Sequence, residues 1–322
     1  MRAEKKTIGK FIGFVAAVLL LALLGIAAVF TYVVCVPKDV FSPTYQSVIQ
    51  DKYAALQRTE GPRLILLGGS SMAYGIDEAY LEELTGLPVV NMGLYGGLGD
   101  LFQSQLVRSD LHEGDIVLLG YEYNWIDAPS FSKLLVDTVM SGIDHHIDMY
   151  RVIPFRNLPE VIGYLPSYYA EKKEYAKHPG EDVHHTLFDA DGRLLQARPA
   201  SRITDYANQP EVHNPVSLEG AVLSPESIRY LKDFHAFAQK KKAQLFFTAP
   251  PFLAEAVEGD AAAFDLLPQL EEEQIGIPYI STPSDYLFPA EWMYDTVYHC
   301  NDEGAQIRTE RLAEDLMNAL NQ

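Results

Sequence analysis

A serine follows two glycines directly after a short apolar run near the start of the chain. The run Leu64–Leu67 leads into Gly68-Gly69-Ser70-Ser71. A serine on a tight turn between a buried strand and a helix presents its hydroxyl at the edge of the sheet, beside backbone N–H groups, as nucleophilic acyl transfer requires. A plain strand-to-helix turn and a phosphate-binding turn are the alternatives. The glycine spacing matches neither a P-loop nor the dinucleotide-binding motif.

A histidine near the other end of the chain could supply the base for such a serine. His299 lies just before Asn301, the predicted N-cap of the last helix. A histidine in this loop can act as a general base when a carboxylate orients its ring. Because the chain has 9 His and 44 acidic residues, a surface loop with a chance His–Asp pair is the alternative.

The segments between these residues predict alternating strands and helices. Short apolar runs predict strands at 64–67, 88–91, 116–119, 244–248 and 277–280. Helices are predicted from the Asp77 cap to the Gly86 stop, over 100–111, from the Ser224 cap to about 242, and from the Asn301 cap to 320. Arg308 and Arg311 are expected on a solvated face of the last helix. This alternation predicts right-handed β-α-β units and a parallel sheet covered on both faces.

The pattern is lost between Trp125 and Leu223, in a stretch rich in Tyr, His, Pro and Asn. We interpret residues 126–223 as an insertion over one end of the sheet, where it can shape a pocket. Its tyrosines Tyr164, Tyr168 and Tyr169 are candidates either for stacking on sugar rings or for a small core of the insertion.

The N-terminal segment predicts a membrane helix. Residues 11–36 form a run of 26 positions without a charged residue, long enough to cross a hydrocarbon core of roughly 30 Å. The basic residues Arg2, Lys5, Lys6 and Lys10 precede the run, so the positive-inside rule places the N-terminus in the cytoplasm and the rest of the chain outside. A cleaved signal peptide is the alternative, but the run is too long and lacks a small-residue cleavage site.

Charge and composition exclude several classes of protein. The chain of 322 residues is 48% hydrophobic and carries a net charge of −19, which excludes a disordered protein and argues against nucleic-acid binding. Residues 1–40 contribute +3, so the remainder carries −22 and is expected to stand off an anionic lipid surface on a linker. Two cysteines exclude a disulfide-dense scaffold. No metal site is expected, since His145-His146 and His184-His185 are adjacent pairs whose side chains usually point apart.

The two ends of this β-α-β chain together resemble the SGNH (GDSL-like) hydrolase superfamily. Its first block, a strand followed by Gly-Asp-Ser, is similar to Gly68-Gly69-Ser70 and implies Ser70 as the nucleophile. Its second block is similar to the segment 89–96, and implies that the backbone N–H groups of Gly96 and Ser70 form the oxyanion hole. Its last block, Asp-x-x-His, is similar to Asp295…His299 and implies His299 as the base and Asp295 as its orienting acid.

The chain departs from that family in two places. The third block normally supplies an Asn side chain to the oxyanion hole, whereas the strand 116–119 is followed by Glu122, and Asn124 is the displaced candidate donor. An ionised Glu122 would repel a developing oxyanion. One extra residue also separates Asp295 from His299, so Asp285 and Asp302 stay open as alternative orienting acids.

The resemblance implies a three-layer, doubly wound α/β fold of SGNH or flavodoxin-like type, with a membrane-anchored enzyme active outside the cytoplasm. The expected activity is that of a serine ester hydrolase or O-acyltransferase without a cofactor, and the expected substrate is an acylated envelope glycan or its lipid-linked precursor. Other expected partners are the bilayer and a membrane acyltransferase. The alternatives are an inactive SGNH-like module that binds a polysaccharide or membrane partner, and a nucleotide-binding domain. The expected divisions are a basic tail 1–10, a membrane helix 11–36, a linker 37–61 and an α/β domain 62–322.

Overall fold

Four parallel strands form the main sheet. The computed structural model describes residues 2–123 and 133–321, and the strands are β1 Leu64–Leu67, β2 Val89–Asn91, β3 Ile116–Leu119 and β4 Gln244–Phe247. Their order across the sheet is β2-β1-β3-β4, and every neighbouring pair is parallel. The chain therefore has the mixed α/β fold with a parallel sheet that the sequence predicts.

Both faces of this sheet are buried. In β1, Ile65 and Leu67 belong to one buried cluster, whereas Leu64 and Leu66 belong to another. Because side chains alternate between the two faces of a strand, each cluster covers one face. Burial on both sides explains why these strands are continuous apolar runs in the sequence.

The helices are distributed along the whole chain. In chain order they are α1 Arg2–Cys35, α2 Val48–Arg58, α3 Ser70–Gly75, α4 Glu78–Thr85, α5 Asp100–Ser109, α6 Lys133–Gly142, α7 Leu158–Lys177, α8 Val183–Leu187, α9 Pro225–Lys241, α10 Leu267–Ile275 and α11 Asp302–Leu320. A separate pair of short parallel strands, β5 Phe252–Leu253 and β6 Leu287–Phe288, was not expected from the sequence.

Three predicted helix starts and one predicted stop are confirmed by their cap geometry. The side chain of Asp77 accepts a hydrogen bond from the N–H of Tyr80, and α4 ends at Gly86 with φ +68°. The side chains of Ser224 and Asn301 likewise accept hydrogen bonds from N–H groups in the first turns of α9 and α11. Each cap pairs a backbone group that a helix end leaves unsatisfied.

The predicted fifth strand is not a regular strand. Within 277–280, Tyr279 forms an isolated parallel bridge to Phe247 of β4. The N–H of Phe247 donates to the carbonyl of Pro278 at 2.8 Å, and the N–H of Ile280 donates to the carbonyl of Phe247 at 2.9 Å. Pro278 has no N–H of its own, which limits the hydrogen-bonded ladder that this run can form.

Helix α1 is long and apolar enough to span a membrane, by length and composition. Its span Ile8–Cys35 has a mean hydropathy of 2.9, and none of the most apolar window is buried. At its end, however, Val33 and Val34 are buried in the core of the following domain.

The segment 37–61 differs from the expected free linker. It contains α2, whose residues Val48, Ile49 and Leu56 are fully buried in the same core as the sheet. The apolar residues of this helix are spaced three and four apart, so they form one face that packs against the domain. The acidic domain is therefore joined to α1 by packed structure, and not by a spacer that would hold it off the membrane.

The insertion 126–223 contains helices, among which α7 is the longest. Tyr164 and Tyr168 are 6% and 1% exposed, so they pack in the core and do not form a sugar-stacking surface. The Tyr168 hydroxyl donates to Asp144 at 2.5 Å. Tyr169 is half-buried, with its hydroxyl 3.4 Å from that of Tyr32 in α1.

Candidate active site

Ser70 is the first residue of α3 and lies just beyond the carboxyl end of β1. Gly68 and Gly69, which precede it, are both buried. An added Cβ at Gly68 would lie 2.5 Å from the carbonyl oxygen of Gly120, and one at Gly69 would lie 2.3 Å from both carboxylate oxygens of Glu122. Close approach of neighbouring groups therefore requires glycine at both positions. Ser70 itself is half-buried at the edge of the sheet.

His299 is held by Asp295. The Nδ1 atom of His299 lies 2.8 Å from Oδ1 of Asp295. An ionised carboxylate only accepts hydrogen bonds, so the proton of this bond belongs to Nδ1 and leaves Nε2 as a proton acceptor. The extra residue in Asp295–His299 relative to the family block does not separate the pair, because the loop brings the two side chains back together.

A short loop fixes the position of this pair. Met293 and Cys300 form an antiparallel bridge across it, and the N–H of Tyr294 donates to the carbonyl of His299 at 2.7 Å. Inside the loop, the hydroxyl of Thr296 accepts hydrogen bonds from the N–H groups of Tyr298 and His299. Hydrogen bonds within the loop therefore hold its two ends together.

The ring of His299 also contacts the helix that begins at Ser70. It stacks face to face on Tyr74 of α3, with ring centroids 4.1 Å apart and an interplanar angle of 8°. Residues four apart in a helix lie on the same face, with Cβ atoms about 5–6 Å apart. Ser70 and Tyr74 have this spacing, so the imidazole is stacked on a residue that lies one helical turn from Ser70. Folding therefore brings the two distant motifs to the same edge of the sheet.

The Ser70–His299 hydrogen bond of a completed triad is not formed. Among the residues that the structure describes, none forms a hydrogen bond with the Ser70 hydroxyl or with Nε2 of His299. Such bonds are often long in the absence of a ligand and tighten when substrate binds. The structure thus shows an imidazole that is oriented by Asp295 and stacked on the helix that begins at Ser70, whose hydroxyl has no hydrogen-bond partner among the described residues.

The Glu122 carboxylate lies where the oxyanion hole is predicted. Its Oε1 accepts a hydrogen bond from the N–H of Ser71 at 2.9 Å. Ser71 is the neighbour of Ser70, whose own N–H is the predicted donor. An added Cβ at Gly96 would lie 3.7 Å from Oε2 of Glu122, so the carboxylate is also close to Gly96, the other residue of the predicted oxyanion hole. A negative charge is favourable at N–H groups of a helix start, and here the chain supplies that charge itself.

The remaining oxyanion-hole predictions have different outcomes. Gly96 starts a 3-10 turn, Gly96–Leu98, beside the Glu122 carboxylate. Asn124 lies outside the described residues.

Asn91, at the end of β2, holds the local backbone: its side-chain N–H donates to the carbonyl of Met72 at 3.0 Å, and its side-chain oxygen accepts from the N–H of Gly93 at 2.9 Å.

Two tyrosines at the site were missed by the sequence analysis. Tyr45 comes from the expected linker, and its hydroxyl donates to the carbonyl of Leu94 at 2.8 Å. Burial, with the nearby Tyr74 and the Glu122 carboxylate, raises the pKa of Tyr45 well above its ordinary value. Burial, followed by the charge of Asp295, likewise raises the pKa of Tyr74. Both side chains therefore present neutral hydroxyls near the two carboxylates.

Tyr74 had a local signal that could have identified it, because it lies four residues after Ser70 on the following helix. Tyr45 had none, since it reaches the site only through the packing of 37–61. The insertion contributes as well: the Gln196 side chain contacts the hydroxyls of Tyr74 and Tyr294 at 3.4 and 3.3 Å.

Two buried arginines donate hydrogen bonds to backbone carbonyls of α3. The sequence predicts Arg308 and Arg311 as a solvated face of α11, but Arg308 is fully buried. Its guanidinium donates to the carbonyl of Ser71 at 2.6 Å, which explains why the last helix must keep it inside. Arg198 donates to the carbonyl of Tyr74 at 2.8 Å. Cations near the free carbonyls of a short helix are favourable, and these contacts fix α3 against the sheet.

The alternative orienting acids are not paired with His299. Asp302 accepts a hydrogen bond from the backbone N–H of Arg198 at 2.9 Å and forms an ion pair with its guanidinium at 3.4 Å. The backbone carbonyl of Asp285 is bonded to Arg311. Of the three acids considered, Asp295 is the one that contacts the imidazole.

The histidine pairs are used for structure. His184 contacts Asp51 through Nε2 at 2.7 Å, and Ser47 and the carbonyl of Ser42 through Nδ1. His145 pairs with Asp39 at 2.9 Å. In the described part of the chain, no cluster of three or more His, Cys, Asp or Glu residues is arranged to hold a metal ion.

The chain was also compared with known proteins. No protein-family model matches it, and no curated protein matches it. The candidate site is therefore defined by its own geometry: an oriented imidazole, a serine at the end of β1 and a carboxylate in the position expected for an oxyanion.

Proposed function

We propose that this chain is a membrane-anchored serine ester hydrolase or O-acyltransferase of SGNH-like type that acts outside the cytoplasm. One observation carries the proposal: the His299 ring is bonded to Asp295 and stacked on Tyr74, one helical turn from Ser70. A serine, a histidine and a carboxylate that orients the histidine are the components of nucleophilic acyl transfer. A three-layer SGNH-like fold is part of the same proposal.

The reaction would proceed through an acyl-serine. The Ser70 oxygen attacks the acyl carbon of an ester while Nε2 of His299 accepts the serine proton. The bond to the leaving alcohol then breaks as that oxygen takes the proton from His299, and the acyl group stays on Ser70. Water or a sugar hydroxyl attacks this ester next, giving hydrolysis or transfer, and His299 again carries the proton. Asp295 stabilises the imidazolium in both steps.

The Glu122 carboxylate competes with the oxyanion of this reaction for N–H donors. The tetrahedral intermediate needs N–H donors aimed at its oxygen, and one such donor contributes about a hundredfold in rate. Near Gly96 and Ser71 the Glu122 carboxylate occupies this position. Substrate must therefore displace the carboxylate from these N–H groups.

Location suggests the substrate class. The basic residues before α1 favour a cytoplasmic N-terminus, so the catalytic domain would face the cell envelope. An enzyme tethered there meets acylated glycans and their lipid-linked precursors. A membrane acyltransferase that loads the acyl group is the corresponding partner.

The same carboxylate favours a second candidate function. A module that binds a polysaccharide or a membrane partner without turnover would keep the SGNH-like fold and tolerate a charge in the oxyanion hole. In that case the Glu122–Ser71 hydrogen bond would be a permanent cap of α3.

A fluorophosphonate probe distinguishes the two functions. The full chain in detergent should be labelled, and Ser70→Ala should abolish labelling. Ser71→Ala is the matched control, because it changes the neighbouring serine, whose side chain is buried. Absence of labelling in protein that unfolds cooperatively would favour the binding module, and labelling that persists in Ser70→Ala would exclude Ser70 as the nucleophile.

A further inference from the structure

The outer end of α1 packs directly against the domain. The Phe30 ring lies 5.0 Å from that of Tyr150, edge to face. The side-chain nitrogen of Lys172 donates to the carbonyl of Val34 at 2.6 Å and to Asp144 at 2.6 Å, and both side chains of this ion pair are buried. The domain surface beside the last turn of α1 is therefore fixed relative to that helix. Its position relative to a bilayer rests on the membrane span of α1, which is part of the proposed function.

The length of α1 places this contact at the membrane boundary. Its uncharged run of 26 residues extends about 39 Å, roughly 9 Å more than a hydrocarbon core. Starting from Phe11, the hydrocarbon ends near Phe30, and the last turns of α1 stand among the lipid headgroups. These turns are the ones that the domain contacts. Tyr32, Tyr150 and Tyr169 lie at this level, where aromatic residues are enriched in membrane proteins.

The order of contacts shows which part of α7 lies nearer the bilayer. Tyr32 of α1 meets Tyr169, and Val34, farther out, meets Lys172. Helices α1 and α7 therefore run outward together where they touch. The residues of α7 that precede Tyr169 lie level with Tyr32 or closer to the membrane. Residues before Phe30 in α1 remain exposed, so this half of α7 lies beside α1 without covering it.

Most charged residues of α7 lie in its C-terminal part, which is farther from the membrane. After Glu160 in the first turn, residues 161–170 contain no charged side chain, whereas 171–177 contain five. The exposed residues of the uncharged half are Ile162, Gly163, Pro166, Ser167 and Ala170. Just before the helix, Phe155 is 86% exposed, and Ile162 is 44% exposed. A helix face bathed in water normally carries charges, so this face is suited to a less polar environment.

We propose that the N-terminal half of α7, together with Phe155, rests in the outer leaflet at the boundary between headgroups and acyl chains. The domain then has two attachments to the membrane, α1 and this face, and they hold it in one orientation. Amphipathic segments of this kind bury their apolar side about 5–10 Å into the boundary region. Between Phe155 and this stretch the charged residues are Arg156 and Glu160, which have opposite signs, and residues 161–170 carry no charge. The strong negative charge of the domain therefore does not oppose the contact.

Quenching by brominated lipid tests this contact in the full chain. Single tryptophans are added at Phe155 or Ile162 and the protein is placed in phosphatidylcholine vesicles with or without bromine near the headgroup end of the acyl chains. Leu20→Trp, inside α1, reports on the membrane span. Leu266→Trp is the matched control, since Leu266 is 64% exposed in the turn Ala261–Leu266, which packs against α10. Emission is compared with that of the parent chain, which has 2 Trp.

The emission added at positions 155 and 162 should fall by about half in brominated vesicles, as expected for side chains at this depth. The emission added at position 266 should not change. Quenching at position 20 without quenching at 155 and 162 would overturn the proposed contact and leave the membrane span intact. No quenching at position 20 would overturn both. Equal quenching at 266 would show non-specific adsorption and would also overturn the proposed contact.

Discussion

The imidazole of His299 lies face to face on the phenol ring of Tyr74, with 4.1 Å between the ring centroids. This contact links the C-terminal loop to the helix that begins at Ser70. It also fixes the plane of the imidazole, while the hydrogen bond to Asp295 fixes its rotation within that plane. The proposed base is therefore positioned by two independent contacts.

Removal of the stacking partner should slow the reaction of Ser70. Tyr74→Leu removes the aromatic contact, and an aromatic pair of this kind is worth about 0.5–1.5 kcal/mol, so the rate of fluorophosphonate labelling should fall by about two- to tenfold. Tyr74→Phe is the control, since it keeps the ring and removes only the hydroxyl with its contacts to Gln196 and Tyr45. Equal rates in the Leu and Phe variants would show that the stacking does not position the base.

Neutralising Glu122 should make the site more reactive. In Glu122→Gln the amide oxygen can still accept the Ser71 N–H, while the amide N–H₂ can donate to an oxyanion. Labelling and ester hydrolysis should rise by on the order of tenfold or more. Glu122→Asp, which keeps the charge, should show no such rise. A loss of reactivity in the Gln variant would mean that the carboxylate itself takes part in the reaction.

The stability of the domain should depend on the ionisation of Glu78. Burial, partly offset by the charges of Lys52 and Arg193, raises the pKa of Glu78 from 4.5 to about 7. Because the folded state favours the neutral acid, this contribution to stability is full below about pH 4.5 and is lost as the pH rises through about 7.

Thermal unfolding at several pH values measures this effect. Between pH 5 and pH 8 the parent chain should lose on the order of 1–3 kcal/mol relative to Glu78→Gln, since one pKa unit corresponds to about 1.4 kcal/mol. The Gln variant mimics the neutral acid at every pH and is therefore the reference. Parallel pH curves for the two proteins would contradict the assignment.

A buried ion pair at the edge of the sheet away from the site should be important for folding. Arg63 and Asp115 are fully buried and 2.6 Å apart, and Asp115 also accepts the backbone N–H of His112 at 2.8 Å. Asp115→Ala leaves the guanidinium without its partner and should cost about 3–5 kcal/mol in the free energy of unfolding.

Urea unfolding of the full chain in detergent measures this cost. Glu113→Ala, which removes the exposed pair between Glu113 and Lys242, is the control and should cost less than about 1 kcal/mol. Similar losses in the two variants would contradict the importance of burial for the Arg63–Asp115 pair.

Local signals predicted much of the fold. The strands β1 to β4 are apolar runs, and the caps at Asp77, Ser224 and Asn301 depend on residues close to them in sequence. Helix α2 was missed because five of its 11 residues are polar and the apolar ones show their role only when they pack on the domain. Arg308 was misjudged for a related reason: its carbonyl partner at Ser71 lies 237 positions away in the sequence.

The candidate site, like the fold, was predicted from the sequence only in part. The resemblance to the SGNH block implied the contact between Asp295 and His299, although their spacing departs from that block by one residue. The sequence also suggested that Glu122 would interfere with the oxyanion hole. Its hydrogen bond to Ser71 and its closeness to Gly69 depend on how β3 lies beside β1, which only the folded sheet determines. Tyr45 reaches the site through the packing of a segment that local composition describes as a linker.

The central claim is that Ser70 becomes acylated with the help of His299, and trapping that intermediate tests it most directly. The full chain is incubated with an activated acetyl ester, quenched with acid and digested, and the site of acetylation is mapped by mass spectrometry. We expect the acetyl group on Ser70, at a level that falls sharply in His299→Ala. An unmodified Ser70 in folded protein, or acetylation that is the same with and without His299, would contradict the account.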